Sequence, residues 1–476
     1  MGHACRRFGA ADSAHLLELR LEVWLPLRIR GHTVRPGWNL AAALMLSACA
    51  EAEPRSQWLV HVGTDAAVPA FGDRVRVDVL DAEGHVCAEC QRTFNADELP
   101  LSFGVAPSGD SRLRLRLTLY RAAVIDDEGQ PQAPVIELLA ALPELASGET
   151  SVVAPLMMQC FGARSSESDG ASCDPASGAR GADLVLSEGV AADLPVPGSF
   201  GGEPASCGAG EPDMVCVPGA AYLMGSAVFV PLGSDFDPAP EQLVSVSSFW
   251  LDRDEVTVAG MRQIVKKYDI DAPTLRSDQR PYCTYTSAGE GDGLPVNCLS
   301  RGLAAEACEA VGKRLPTEAE WELAASGSSL DSPYPWSLTD VTNEGLCHQA
   351  VLARPTISEA LEMGSRQCIE VDSALPVGLQ PVAETQDEGH WGLRNLGGNV
   401  SEWVADSHLP FTDDACWGAS VQLRDDPMCA AESPLGVTKG GDYVFFTYNS
   451  HSFFRRAVST NAEFPFIGFR CAKDSN

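Results

Sequence analysis

Two stretches near the start of the chain alternate strictly between polar and apolar residues. Arg74-Val75-Arg76-Val77-Asp78-Val79 is one; Arg112 to Leu119 is the other, with Leu113, Leu115, Leu117 and Leu119 on one side and Arg112, Arg114, Arg116 and Thr118 on the other. A period of two with a single apolar face marks a half-buried antiparallel strand. Trp58 to Val62 reads as a further short strand, and Ser151 to Met158 as one that closes the sheet. Residues 57–160 are thus expected to form a small all-β, sandwich-like domain with a binding or spacing role. Residues 161–211 are rich in Ser, Gly, Ala, Asp and Pro and have no period, so they read as a linker.

From residue 212 to 476 long periodic segments are scarce. A helix is expected over Leu303 to Val311, with Gly312 suited to the position just past its end. A second is expected to start near Thr317, because Thr317-Glu318-Ala319-Glu320 is a capping box directly after Pro316, and Gly327 suits its end. The remainder reads as loops and short strands.

The N-terminus has a different pattern. Trp38 to Ser47 is a short apolar run preceded by Arg28, Arg30 and Arg35 and followed by Leu46-Ser47-Ala48-Cys49. Such a run is too short to cross a bilayer as a helix but has the order of a secretory signal. The LSAC tetrapeptide resembles a bacterial lipobox, which implies residues 1–49 as signal, lipidation of Cys49 and a tether over residues 50–56. The expectation is a bacterial cell-envelope protein, lipid-anchored at the outer membrane or facing the periplasm.

Composition narrows the partners. The 476 residues carry 34 Lys plus Arg against 65 Asp plus Glu, a net charge of −31, which argues against a nucleic-acid partner. An exported protein or peptide is the expected partner, besides the membrane reached through the anchor. Sixteen cysteines suit an oxidising compartment; without Cys5 and the acylated Cys49, fourteen remain. Close spacing suggests Cys87–Cys90, Cys160–Cys173, Cys207–Cys216, Cys283–Cys298, Cys347–Cys368 and Cys416–Cys429, although connectivity does not follow from sequence. Cys87-Ala-Glu-Cys90 also has the spacing of redox and zinc sites, against which stands a local disulfide.

Seven blocks then occur in a recognisable order: Val217 to Ser226, Glu241 to Val258, Leu294 to Asn297 with Ala304 to Gly327 (containing RLPTEAEWE), Tyr334-Pro-Trp336, Gly392 to Trp403 (GLRNLGGNVSEW), Lys439-Gly-Gly441 and Ile467 to Cys471. Together they resemble the sulfatase-modifying-factor family, the formylglycine-generating-enzyme type. The resemblance implies an α+β, C-type-lectin-like domain over residues 212–476 with little regular secondary structure.

It also implies a calcium site. Asn395 and Glu402 would offer side-chain oxygens, and Gly398 and Val400 carbonyls, a set of hard oxygens within eight residues. The alternative is a turn without metal, in which Asn395 caps the backbone and Glu402 bridges to an arginine. The family's disulfide would join Cys308 to Cys471. Its copper, held by two thiolates, is not expected: Phe445 and Ser450 stand where the resemblance places the cysteines, and soft thiolates are what Cu(I) requires. Asp442 replaces a Ser there, and Ser401 an aromatic residue. No other catalytic residue is assigned. His390, His408 and His451 are isolated, and Phe445, Phe446, Tyr448, Phe453 and Phe454 form an aromatic run that is either core or groove. Two functions remain open. One is the family's protein-modifying oxidase, for which the copper pair is missing; the other is a noncatalytic peptide- or glycan-binding module.

Overall fold

The computed structural model describes residues 56–475 except 108–111, 133, 146–147, 167–169, 202–206, 209, 229–235, 288, 328–332, 337–341, 357, 359–363 and 419–421. The expected signal, Cys49 and nearly all of the tether lie outside the described residues.

The alternating stretches become strands that share one core. β1 (Gln57–Thr64), β4 (Leu101–Val105), β7 (Glu149–Leu156) and β10 (Ser187–Glu188) form one four-stranded sheet in the order β10-β7-β1-β4. β2 (Arg74–Leu80), β3 (Arg92–Asn95), β5 (Arg114–Tyr120) and β6 (Ile136–Ala141) form the other, β3-β2-β5-β6. Leu115, Leu117 and Leu119 are fully buried against Trp58, Val60 and Val62, as the period of two requires. On the outer face Arg76 and Arg116 hold Asp78 between them at 3.0 Å each.

Residues 161–201 differ from the linker reading. β10 adds an edge to the first sheet, β8 (Ser172–Cys173) pairs with β9 (Arg180–Gly181), and Leu186 is buried. Strands of two residues carry no period, so their pairing was invisible in the pattern.

The C-terminal part is α+β with little regular structure. β11 (Met214–Val217), β14 (Phe249–Asp252) and β20 (Ala472–Asp474) form one small sheet. β12 (Ala220–Met224), β13 (Gln242–Val246) and β16 (Arg424–Asp425) form another. β15 (Ser401–Ser407), β17 (Leu435–Lys439), β18 (Arg455–Ser459) and β19 (Ile467–Gly468) form the third, in the order β18-β17-β15-β19. Helices are α1 (Val258–Tyr268), α2 (Arg301–Ala310), α3 (Glu318–Ser326), α4 (Asn343–Gln349) and α5 (Gln367–Val371). Both halves belong to one compact unit. Leu223 of β12 and Leu243 of β13 join the sandwich core, and Arg121 grips Glu241 through both guanidinium nitrogens.

α3 explains much of the C-terminal architecture. Thr317 caps it, accepting from Glu320 N at 3.1 Å while Glu320 accepts from Thr317 N at 2.8 Å, and Gly327 ends it with a left-handed φ of 64°. Residues Glu318 to Ala325 are all buried. A helix buried on every side must neutralise its charges internally. Glu318 receives Arg455 at 2.8 and 2.9 Å, Glu320 receives Arg314 at 2.7 Å, and Glu322 receives Lys439 at 2.7 Å. The acidic spacing of TEAEWE therefore reflects three separate cationic partners, two of them fully buried and Arg314 partly exposed, not a solvated face.

Fourteen described cysteines form seven disulfides: the six closely spaced pairs and Cys308–Cys471, whose sulfurs lie 1.99 Å apart.

Candidate functional site

Two glycine turns meet at the centre of the C-terminal domain. Gly440 has φ +79°, and a methyl group there would lie 2.7 Å from the carbonyl oxygen of Leu396. One at Gly441 would lie 2.3 Å from the carbonyl oxygen of Gly397. Glycine is thus required because two backbones touch, in addition to any tight turn.

After Gly441 the chain buries Asp442 completely. Its Oδ1 accepts from the amides of Val444 and Phe445 at 2.9 Å, so it shapes the following loop. Its Oδ2 lies 3.1 Å from the Ser401 hydroxyl and 3.2 Å from the Arg456 guanidinium. The two departures from the family pattern, Ser401 and Asp442, are therefore contact partners. The Phe445 ring stands edge-on to Phe466 at 4.9 Å, with the Arg456 guanidinium 4.5 Å from its centre. Ser450 is buried and donates its hydroxyl to the Thr447 carbonyl at 2.6 Å. A benzyl group and an engaged hydroxyl offer no soft ligand, and every described cysteine is in a disulfide. These residues do not fit a thiolate-bound copper. Cys416 and Cys429 bind each other and supply no substitute.

The Asn395–Glu402 turn has mixed chemistry. Asn395 and Asn399 take left-handed φ of 63° and 71°, which Asn tolerates better than most residues. Glu402 is fully buried and accepts from Arg470 at 2.7 Å on each oxygen and from Trp321 Nε1 at 2.8 Å. This is the arginine bridge of the metal-free alternative. Asn395 donates Nδ2 to Glu255 at 2.8 Å and to the Val382 carbonyl at 3.0 Å. Its Oδ1 is buried without a hydrogen-bond partner, as is Oδ1 of Asp387, whose Oδ2 accepts from Gly397 N at 2.8 Å. Burial pushes the Asp387 carboxyl up to about 7, against the amide of Gly397, and pushes Glu255 well above the carboxylate range, helped by repulsion from Glu402. The unsatisfied Oδ1 of Asn395 is a hard oxygen that calcium would take, whereas Glu402 is already committed to Arg470.

His451 stacks between Tyr334 and Phe453 at 4.7 and 4.9 Å, and burial lowers its pKa, as it does for His390. His408 is buried. Of the aromatic run, Phe454 is core while Phe446 is 45% exposed.

What sequence reasoning missed is a pocket of about 560 Å³ bordered by Arg280, Tyr282, Asn461, Glu463, Phe464 and the Cys283–Cys298 disulfide. Phe464 stacks on Phe466 at 5.0 Å, and Phe466 meets Phe445, so rings connect this pocket to the Asp442 loop.

Residues 202–475 match the sulfatase-modifying factor enzyme 1-like domain. The chain belongs to that family. The inactive C-alpha-formylglycine-generating enzyme 2 of Mus musculus is 30% identical over 238 residues, 43% of this chain and 72% of the relative. The formylglycine-generating enzyme of Thermomonospora curvata is 29% identical over 310 residues, 55% of this chain and 93% of the relative. Among solved structures, PvdO from Pseudomonas aeruginosa is 20% identical, with a TM-score of 0.43 over 55% of this chain and 94% of that one. Within the sulfatase-modifying factor domain, the RLPTEAEWE block caps and opens α3 and the GGNVSEW block leads into β15.

Proposed function

We propose that the sulfatase-modifying factor domain of this protein binds an extended peptide without oxidising it. The observation that carries this reading is the replacement of a thiol pair by Phe445, packed under Arg456, and Ser450, bonded to its own backbone. The pocket beside Phe464 offers what a peptide needs: aromatic faces, the Arg280 guanidinium, the carboxylates of Asp278 and Glu463, and the amides of Gln279 and Asn461. A relative called inactive at 30% identity is in keeping with this. Calcium at the Asn395 turn, with the Gly398 and Val400 carbonyls, would stiffen the backbone behind the Asp442 loop. Lipidation of Cys49 would place the domain at the cell envelope of a bacterium, where its partner would be an exported protein.

The deciding experiment incubates the purified protein with Cu(I), oxygen and a Cys-x-Pro-x-Arg peptide. Unchanged peptide mass together with peptide binding lost in Phe464→Ala is the expected result. Conversion of the peptide cysteine to an aldehyde overturns the proposal. A glycan that binds at the same pocket while peptides do not overturns the choice of ligand.

A further inference from the structure

The disulfide between Cys87 and Cys90 differs from the other six. Both of its cysteines are half-exposed, whereas every other pair has at least one buried member. It spans three residues, against 9 to 163 for the rest. The stabilisation a crosslink gives the fold grows with the loop it closes, so this one contributes least to folding. Neither cysteine belongs to a core cluster, unlike Cys160–Cys173, both of whose members do.

Its surroundings are hydrogen-bonded and carry a cation. The segment lies between β2 and β3, with Cys87 N bonded to the Val79 carbonyl at 2.8 Å and Cys90 N to the Cys87 carbonyl at 3.0 Å. Gln91 ties it to the buried Asp78 through a 2.6 Å hydrogen bond. Arg92 donates to the carbonyls of Glu89 and Gln91 at 2.9 and 2.7 Å, the residues on either side of Cys90. A guanidinium is thus held against the backbone carbonyls on either side of Cys90; a cation within reach of a thiol favours its thiolate.

We infer that Cys87–Cys90 is a thiol–disulfide exchange site that accepts two electrons from an exposed dithiol of a partner protein. A partner thiolate attacks Cys87 Sγ; the Cys87–Cys90 bond breaks and its electron pair leaves on Cys90 Sγ. The partner's second thiolate then attacks its own sulfur in the mixed disulfide and releases Cys87 as thiolate. The partner ends as a disulfide, Cys87 and Cys90 end reduced, and the two protons lost by the partner are matched by two taken up here. The better leaving group is the thiol of lower pKa, which sets the direction of attack.

The test uses the full chain and a reduced Cys-x-x-Cys peptide at neutral pH, quenched with an alkylating agent and read by mass spectrometry, with circular dichroism recorded in parallel. Alkylation of Cys87 and Cys90 alone, in folded protein, with a disulfide formed in the peptide, is expected. Cys90→Ala incubated with the oxidised peptide should trap a mixed disulfide at Cys87. Arg92→Gln should leave the melting temperature unchanged, slow exchange by roughly threefold, and move the alkylation pH profile of Cys90 upward. Opening of another pair first, or labelling of Cys87 and Cys90 only in step with unfolding, overturns the inference. An unchanged pH profile in Arg92→Gln removes Arg92 from it.

Discussion

Glu402 and Arg470 meet inside the protein, both fully buried, through two hydrogen bonds of 2.7 Å. Arg470 also donates to the carbonyls of Asp252, Arg253 and Arg394, so one guanidinium joins β14, β15 and the turn that precedes it. Removing one partner of a buried pair leaves an uncompensated charge. Glu402→Ala and Arg470→Ala should each destabilise by about 3–5 kcal/mol, and the double variant by less than the sum. Urea denaturation of the three variants measures this; additive losses would show that the two residues act independently.

The two glycine turns make a second prediction. Gly441→Ala forces a methyl group to 2.3 Å from a backbone oxygen that cannot swing away. Gly440→Ala adds a left-handed φ to a 2.7 Å clash. Each should cost about 2–3 kcal/mol, estimated from overpacking and backbone strain. Gly378, also at positive φ but with open space around it, should tolerate Ala at about 1 kcal/mol or less. Equal losses at all three positions would refute the close-approach argument.

Stability should also respond to pH through Asp406. It is fully buried, accepting from the amides of Glu318 and Cys429, and burial followed by repulsion from Glu318 raises its carboxyl to about 7. The folded state therefore binds this proton more tightly than the unfolded chain does. Its contribution is complete below about pH 4, the unfolded value, and is lost as pH rises through about 7. Melting temperature should accordingly fall between pH 5 and pH 8. In Asp406→Asn the absolute stability will drop, since an amide group must face a backbone N–H, but the slope should flatten. A slope unchanged by the substitution would assign the pH response elsewhere.

The elements legible in the sequence were those written locally. The capping box at Thr317 and the alternation at Arg112 to Leu119 need only neighbours a few residues away, and the structure places α3 and β5 there. α1 was missed although it is also written locally: Thr257 caps it, and Val258, Met261, Ile264 and Val265 recur at helical spacing and pack against the core. The partners of Glu402, Asp442 and Glu318 lie 68, 14 and 137 residues away, and charge alone does not say which arginine goes where. The pocket beside Phe464 is built from loops brought together by non-local pairing, such as Cys298 N on the Phe464 carbonyl at 3.2 Å, and no period announces it.

A final prediction concerns the joint between the two halves. Arg121 leaves the end of β5 and meets Glu241 at the start of β13, with side-chain exposures of only 13% and 4%. Leu223 and Leu243 bury themselves beside the sandwich core, so among the described residues apolar contact and the Arg121–Glu241 pair bind the halves together. The intact protein should unfold in a single cooperative calorimetric transition from this joint. Arg121→Ala strands Glu241 in a nearly closed site and should cost about 2–4 kcal/mol at the joint, enough to separate the melting of the sandwich from that of the C-terminal domain. The exchanged pair, Arg121→Glu with Glu241→Arg, should recover much of the loss, because the attraction survives reversal while the surrounding packing changes little. One transition at an unaltered midpoint in Arg121→Ala would mean that the leucines alone carry the coupling.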